Sequence, residues 1–243
     1  MVEFMATLST QIGFDDLSDA CAAYGLRIAG VCDVRGNDSL PNLASLVLLA
    51  PSEPGFWEVF AHSDEYNDGF EHPMDRWSAR VIGNLGTEFG GTAYFPFGGA
   101  PYHPFYSWAL STGRVYASPL RFLVDNESGL YVSFRGAIGF TQNISDPRPV
   151  LSTPCAGCAA PCLTSCPADA LDETDYNVPK CKSYLMNAIE SCETFGCAAR
   201  RALCRCRTQQ PRMPAPRAGG PGCTCLPPSN QPRHSGAACF GAG

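Results

Sequence analysis

Twice between residues 27 and 50 the chain becomes almost continuously apolar. "RIAGVCDV" (27–34) and "SLVLLA" (45–50) are short apolar runs bounded by turn formers, the pattern of strands buried on both faces. Ahead of them, "FDDLSDACAAY" (14–24) spaces its apolar residues for a helix, with Asp15 and Asp16 in the first turn and Gly25 as the stop. Beyond them, "EPGFWEVFAHS" (53–63) and "HPMDRWSARVIGNLGTEFG" (72–90) read as helices. In the second, Trp77, Val81, Ile82 and Leu85 share one face, beside Arg76 and Arg80. "GTAYFPFGGAPYHPFYSWALSTG" (91–113) mixes a short strand, a Gly/Pro loop and a helix around Trp108. In "LRFLVDNESGLYVSFRGAIGF" (120–140) two β-rich runs flank the turn formers Asp125, Asn126 and Gly129, which predicts a hairpin. Strands interleaved with helices predict an α/β or α+β domain over residues 1–150.

The periodicity then stops. "TQNISDPRPVLSTP" (141–154) reads as a linker, and the cysteine-dense stretch 155–204 lies beyond it, in a module bounded at 151–204. Residues 205–243 hold seven Pro, six Gly and five Arg, with no Val, Ile, Lys, Asp or Glu, a composition that cannot bury a core and predicts disorder. A second origin for this tail is open. "LCRC" (203–206) is what codons for Leu-Cys-Pro-Val become when one cytosine is lost, and a GC-rich gene read in a shifted frame yields this bias.

With 243 residues, 45% of them apolar, the chain suits one large domain carrying a smaller one. No run reaches the length of a membrane span, and the N-terminus lacks a basic segment followed by an apolar one, so the expected location is cytoplasmic. Thiols stay reduced there, and cysteine clusters read as metal or redox sites. The formal charge of -6 is uneven: the tail is purely basic, leaving residues 1–204 with 12 basic and 23 acidic side chains, a net of -11. An acidic body disfavours nucleic acid and suits docking on basic redox partner proteins.

The module opens with "CAGCAAPCLTSCPADAL", spaced Cys155-x2-Cys158-x3-Cys162-x3-Cys166-Pro167. Cysteines three or four residues apart let one loop present thiolates to several irons of a cuboidal cluster, as in the bacterial ferredoxin run C-x2-C-x2-C-x3-C-P. One extra residue separates the second and third cysteines, where Ala159, Ala160 and Pro161 stand. "ADAL" after Pro167 is expected to begin a helix. Cys181, Cys192, Cys197 and Cys204 bring the total to eight in fifty residues, the number that two [4Fe–4S] clusters need. The interleaved rule assigns Cys155, Cys158 and Cys162 with Cys204 to one cluster, and Cys181, Cys192 and Cys197 with Cys166 to the other. Structural zinc is the alternative, although only Cys155/Cys158 has C-x2-C spacing and the module contains no histidine. Cys206, Cys223, Cys225 and Cys239 are expected to bind nothing, and Cys21 and Cys32 to behave as small apolar residues.

"CAGCAAPCLTSCPADAL", "VPKCKSYL" and "GCAARRALC" together resemble the ferredoxin-like module of the epoxyqueuosine reductase family, most closely its small ferredoxin-like relatives. A fainter similarity runs through "SLVLLAP", "PMDRWSARVIGNL" and "GLYVSFRGAIGF". The resemblance implies a dicluster ferredoxin-like domain behind an N-terminal domain that in the reductases holds cobalamin and an aspartate acid. Between Phe89 and Val124, where that acid is expected, this chain has no Asp or Glu, and His103, Tyr94, Tyr102 and Tyr106 stand there instead. Arg135 and Gly136 resemble family positions near the cofactor. Elsewhere, "FPFGGAPYHPF" reads as a packed Pro-rich connection and Arg76 and Arg80 as solvated helix charges, in preference to ligand sites. The leading functional expectation is one-electron transfer through one or two [4Fe–4S] clusters. A cobalamin- or other cofactor-dependent reductase and a zinc-stabilised interaction module are the alternatives.

Overall fold

A computed structural model describes residues 12–172, 175–187 and 192–202. Its strands are β1 (Leu26–Asp33), β2 (Ser45–Pro51), β3 (Thr92–Tyr94), β4 (Val115–Ala117), β5 (Leu123–Asp125) and β6 (Gly136–Phe140). Its helices are α1 (Phe14–Ala22), α2 (Phe56–Ala61), α3 (Asp64–Asn67), α4 (Pro73–Glu88), α5 (Phe105–Ser111), α6 (Val178–Asn187), α7 (Cys192–Phe195) and α8 (Ala198–Arg201). The chain divides into two compact units, Met1–Arg114 with Ser133–Val150, and Val115–Val132 with Leu151–Gly243. Among the described residues no helix is long and apolar enough to cross a membrane.

The first unit is built on a four-stranded sheet ordered β1-β2-β6-β3, with every pairing antiparallel. The mixed α and β content expected from the sequence is therefore realised with antiparallel strands. β2 is buried along nearly its whole length, as its unbroken apolar run predicts. Val47 and Leu49 join Leu17 and Cys21 of α1, Phe56 and Phe60 of α2, and Trp77, Val81, Ile82 and Leu85 of α4 in one core. The face of α4 picked out by its apolar spacing is thus the face that packs. Phe56, Phe60 and Trp77 meet edge-on or stacked with ring centres 5.5–6.2 Å apart, a geometry that adds to their burial. α5 packs on β1, where Gly30 lies so close to Thr112 that a Cβ would come within 2.6 Å of it.

One expectation fails here. Residues 120–140 do not form a hairpin with each other. The turn itself closes: Asp125 and Gly129 exchange backbone hydrogen bonds, and the Asp125 carboxylate accepts from the N–H groups of Glu127 and Ser128. But β5 pairs backward with β4, and β6 inserts between β2 and β3. "GAIGF" is entirely buried, and a sheet centre takes such a run in preference to a solvated two-stranded ribbon.

A buried ion network also braces this unit. Asp146 accepts from Arg148 at 2.6 and 2.9 Å and pairs with Arg114 at 2.6 Å. Arg148 reaches on to the Ile28 carbonyl at 2.9 Å and lies 5.1 Å over the Phe14 ring.

Candidate metal centre

In the second unit, β4 and β5 form a two-stranded ribbon whose apolar residues pack with the cysteine loop. Leu120, Val124 and Leu130 share one buried cluster with Cys162, Leu171 and Ala199, and Cys155, Cys166 and Cys197 pack against it. The start of the loop is fastened to the ribbon: the Tyr116 hydroxyl donates to the Leu151 carbonyl, and the Asn126 amide donates to Ser152 O at 3.2 Å.

Local backbone chemistry explains how the loop turns. Cys155 N–H donates to Thr153 Oγ1 at 3.3 Å, and Cys158 N–H donates to Cys155 O at 3.1 Å, so the first two cysteines flank a single turn. The extra residue between Cys158 and Cys162 is absorbed by Ala160, which adopts the left-handed conformation at φ 47°. Pro161 then opens a one-turn 3-10 helix, Pro161–Thr164, with its ring at the position where a missing N–H costs nothing. Cys162 within that turn is buried; Cys155, Cys158 and Cys166 are half-buried.

After Cys166 the expected helix does not form. Asp169 N–H donates to Cys166 O at 2.9 Å, and Asp169 itself is left-handed, which reverses the chain before a helix can start. Leu171 then bridges to Tyr176. Lys180 on α6 donates to the Asp169 carbonyl at 2.6 Å and to its carboxylate at 3.0 Å, holding this reversal. One result is chemically useful: the Ala170 backbone N–H donates to Cys166 Sγ at 3.3 Å.

Cys155, Cys158 and Cys162 line one cavity of about 20 Å³ together with Ser118, Pro119, Val124, Leu130 and Ala160. Of the other sequence candidates, Cys197 joins the same apolar cluster from the start of α8, while Cys181 on α6 and Cys192 at the start of α7 are not part of it. Cys204 lies outside the described residues, as do Cys206, Cys223, Cys225, Cys239 and the whole of 205–243. No disulfide joins any of the nine described cysteines. Among the described residues no three Cys, His, Asp or Glu side chains converge closely enough to enclose a single metal ion.

The cavity walls supplied by 115–132 carried no signal in the sequence. Nothing about Ser118, Val124 or Leu130 marks them as neighbours of cysteines 25 or more residues away. Only the closure of the ribbon in three dimensions reveals it.

The remaining candidates lie in the first unit. Arg76 forks onto the Asp68 carboxylate with two contacts of 2.7 Å, and Arg80 onto Glu65 at 2.5 and 2.9 Å. Both guanidinium groups thus meet carboxylates of this chain. His103 stacks on Trp108 at 5.5 Å and meets Tyr94 edge-on, but residues 98–104 are exposed, so most of this connection is not packed as expected. Arg135 is half-buried, and desolvation pushes its pKa down against the opposing pull of Asp75 3.6 Å away. Burial pushes the Cys21 thiol up to about 12, which suits an inert core residue.

Compared with known proteins, the chain matches no family model, no curated protein and no solved structure.

Proposed function

We propose that the protein is an iron–sulfur electron carrier whose cluster is held by the loop 155–166. The observation that carries this reading is the gathering of Cys155, Cys158 and Cys162 around one cavity, with Cys166 and Cys197 in the same apolar cluster. The donor chemistry fits the group: several thiols without disulfides, set in an apolar shell, with a backbone N–H already directed at Cys166 sulfur. Cys155, Cys158 and Cys162 would hold the first cluster, and Cys166 with Cys181, Cys192 and Cys197 are the candidates for a second. A bound cluster supplies one-electron redox chemistry over about -700 to +450 mV, tuned by its surroundings. The cavity of about 20 Å³ has room for about one water, so loading requires the loop to open outward.

The wider setting follows from this reading. The loop and its Cys-Pro ending support a kinship with the ferredoxin-like relatives of the epoxyqueuosine reductase group, and the acidic body favours redox partner proteins that offer a basic face. The test is direct. Anaerobic purification of the full chain, with reconstitution by ferrous iron and sulfide, should give equimolar iron and acid-labile sulfide and a broad visible absorption that bleaches with dithionite. Cys162→Ser should lose most of the iron, and Cys21→Ser should lose none. A colourless chain that binds zinc and no sulfide overturns the reading in favour of a zinc-stabilised interaction module.

A further inference from the structure

Cys155 and Cys158 stand at the two ends of a single tight turn. The Cys158 N–H donates to the Cys155 carbonyl at 3.1 Å, and Gly157 between them is left-handed at φ 68°, a conformation that favours glycine at the third turn position. The entry to the turn is held as well: Ala156 N–H donates to Thr153 O at 3.0 Å, and Cys155 N–H to Thr153 Oγ1 at 3.3 Å. A turn closed in this way brings its first and last Cα atoms within about 7 Å. Disulfides span Cα separations of about 4.4–6.8 Å, so the backbone already sets this pair at bridging range. Both residues line the cavity of about 20 Å³. Joining their sulfurs adds no atom and removes two hydrogens, so the bond needs no enlargement of a space with room for about one water.

Exposure and local bonding single out these two thiols. Cys155 and Cys158 are half-buried, within reach of a small molecule, whereas Cys162 is only 7% exposed inside its 3-10 turn. Left-handed Ala160 and the ring of Pro161 redirect the chain between Cys158 and Cys162. The Cys166 sulfur already accepts the Ala170 N–H at 3.3 Å.

We propose that Cys155 and Cys158 form a reversible dithiol–disulfide site whose substrates are small-molecule disulfides. One cysteine, as its thiolate, attacks the S–S bond of the small disulfide; that bond breaks, and half of the molecule leaves as a thiol, taking up a proton. The second cysteine then attacks the protein sulfur of the mixed disulfide. The Cys155–Cys158 bond forms, and the other half leaves as a second thiol. The chain gives up two electrons and two protons, and the small disulfide takes them. An excess of the small thiol runs the same steps backward. A half-exposed bond that closes so short a loop gains little from chain entropy and belongs with the labile disulfides. The pair works in the chain without any metal group, so it does not depend on the iron–sulfur reading.

The experiment uses the full chain, stripped of metal with a chelator, reduced, and equilibrated anaerobically with mixtures of oxidised and reduced glutathione. The chain is then unfolded in acid, its remaining thiols are capped with an alkylating reagent, and the caps are located by mass spectrometry. Wild type should become lighter by two hydrogens, with Cys155 and Cys158 protected, Cys162 and Cys166 capped, and the change reversed by reduced glutathione. Cys155→Ser and Cys158→Ser should each retain one glutathione on the remaining cysteine, and Cys162→Ser should close as wild type does. Bonds that use Cys162 or Cys166 in place of this pair overturn the proposal. So does a wild type that keeps glutathione without closing, or that stays reduced at every ratio. If a serine variant fails to melt cooperatively, the pairing mapped in wild type decides alone. Iron and sulfide uptake is measured on a separate reduced sample. A disulfide without uptake removes only the iron–sulfur reading, and uptake without the disulfide removes only this proposal.

Discussion

Asp146 shows how one side chain can fix a loop. Burial pushes its carboxyl pKa up, but hydrogen bonds and charge from Arg148, with the charge of Arg114, outweigh that and hold it below the usual carboxylate value. A carboxylate depressed on folding contributes stability that is present above its unfolded pKa of about 3.9 and is lost as pH falls through the folded value. Asp146→Asn removes that contribution and leaves two guanidinium groups facing each other's fields. A loss on the order of 3 kcal/mol at neutral pH is expected by urea denaturation. Between about pH 5 and pH 3, moreover, the variant should lose less stability than wild type, since it has no depressed carboxylate left to protonate. A parallel fall in both chains would show that Asp146 does not titrate as described.

At the level of elements, the close approach of β3 and β6 is the most exacting contact. A Cβ on Gly91 would meet Ile138 Cγ2 at 2.5 Å, Phe140 Cε1 at 2.7 Å and the Gly139 carbonyl at 2.9 Å. Backbone cannot yield as a side-chain tip can, so Gly91→Ala should cost about 1–3 kcal/mol, read as a lower urea midpoint at unchanged slope. Elements whose own residues fix them were legible in the sequence. β1 and β2 announce themselves by apolar runs, and α4 by four apolar residues on one face. The partners of β6 were not legible, because an apolar run marks a buried strand without naming its neighbours, which here are β2 and β3 from distant parts of the chain. The thiol spacing marked Cys155, Cys158, Cys162 and Cys166 as one run, of which the first three line the cavity and Cys166 packs against the apolar cluster beside it. The helix expected after Pro167 failed because Asp169 takes a left-handed backbone, a choice that no periodicity reports.

For the molecule as a whole, the second unit is assembled from two separate stretches. Leu120, Val124 and Leu130 come from 115–132, and Cys162, Leu171 and Ala199 from beyond residue 151. A fragment comprising 151–243 therefore lacks half of the buried residues around which the cysteines pack. It should show no cooperative thermal transition where the full chain melts cooperatively, and under the proposed function it should take up no iron where the full chain loads. A fragment that loads iron and melts cooperatively would mean that the ribbon is dispensable.

That arrangement bears on how such a centre can be inherited or borrowed. A cassette excised at the first cysteine would arrive in a new host without the wall that Ser118, Val124 and Leu130 supply. Gene fusions that keep the thiols but drop the earlier ribbon should deprive those thiols of the apolar seat on which they pack.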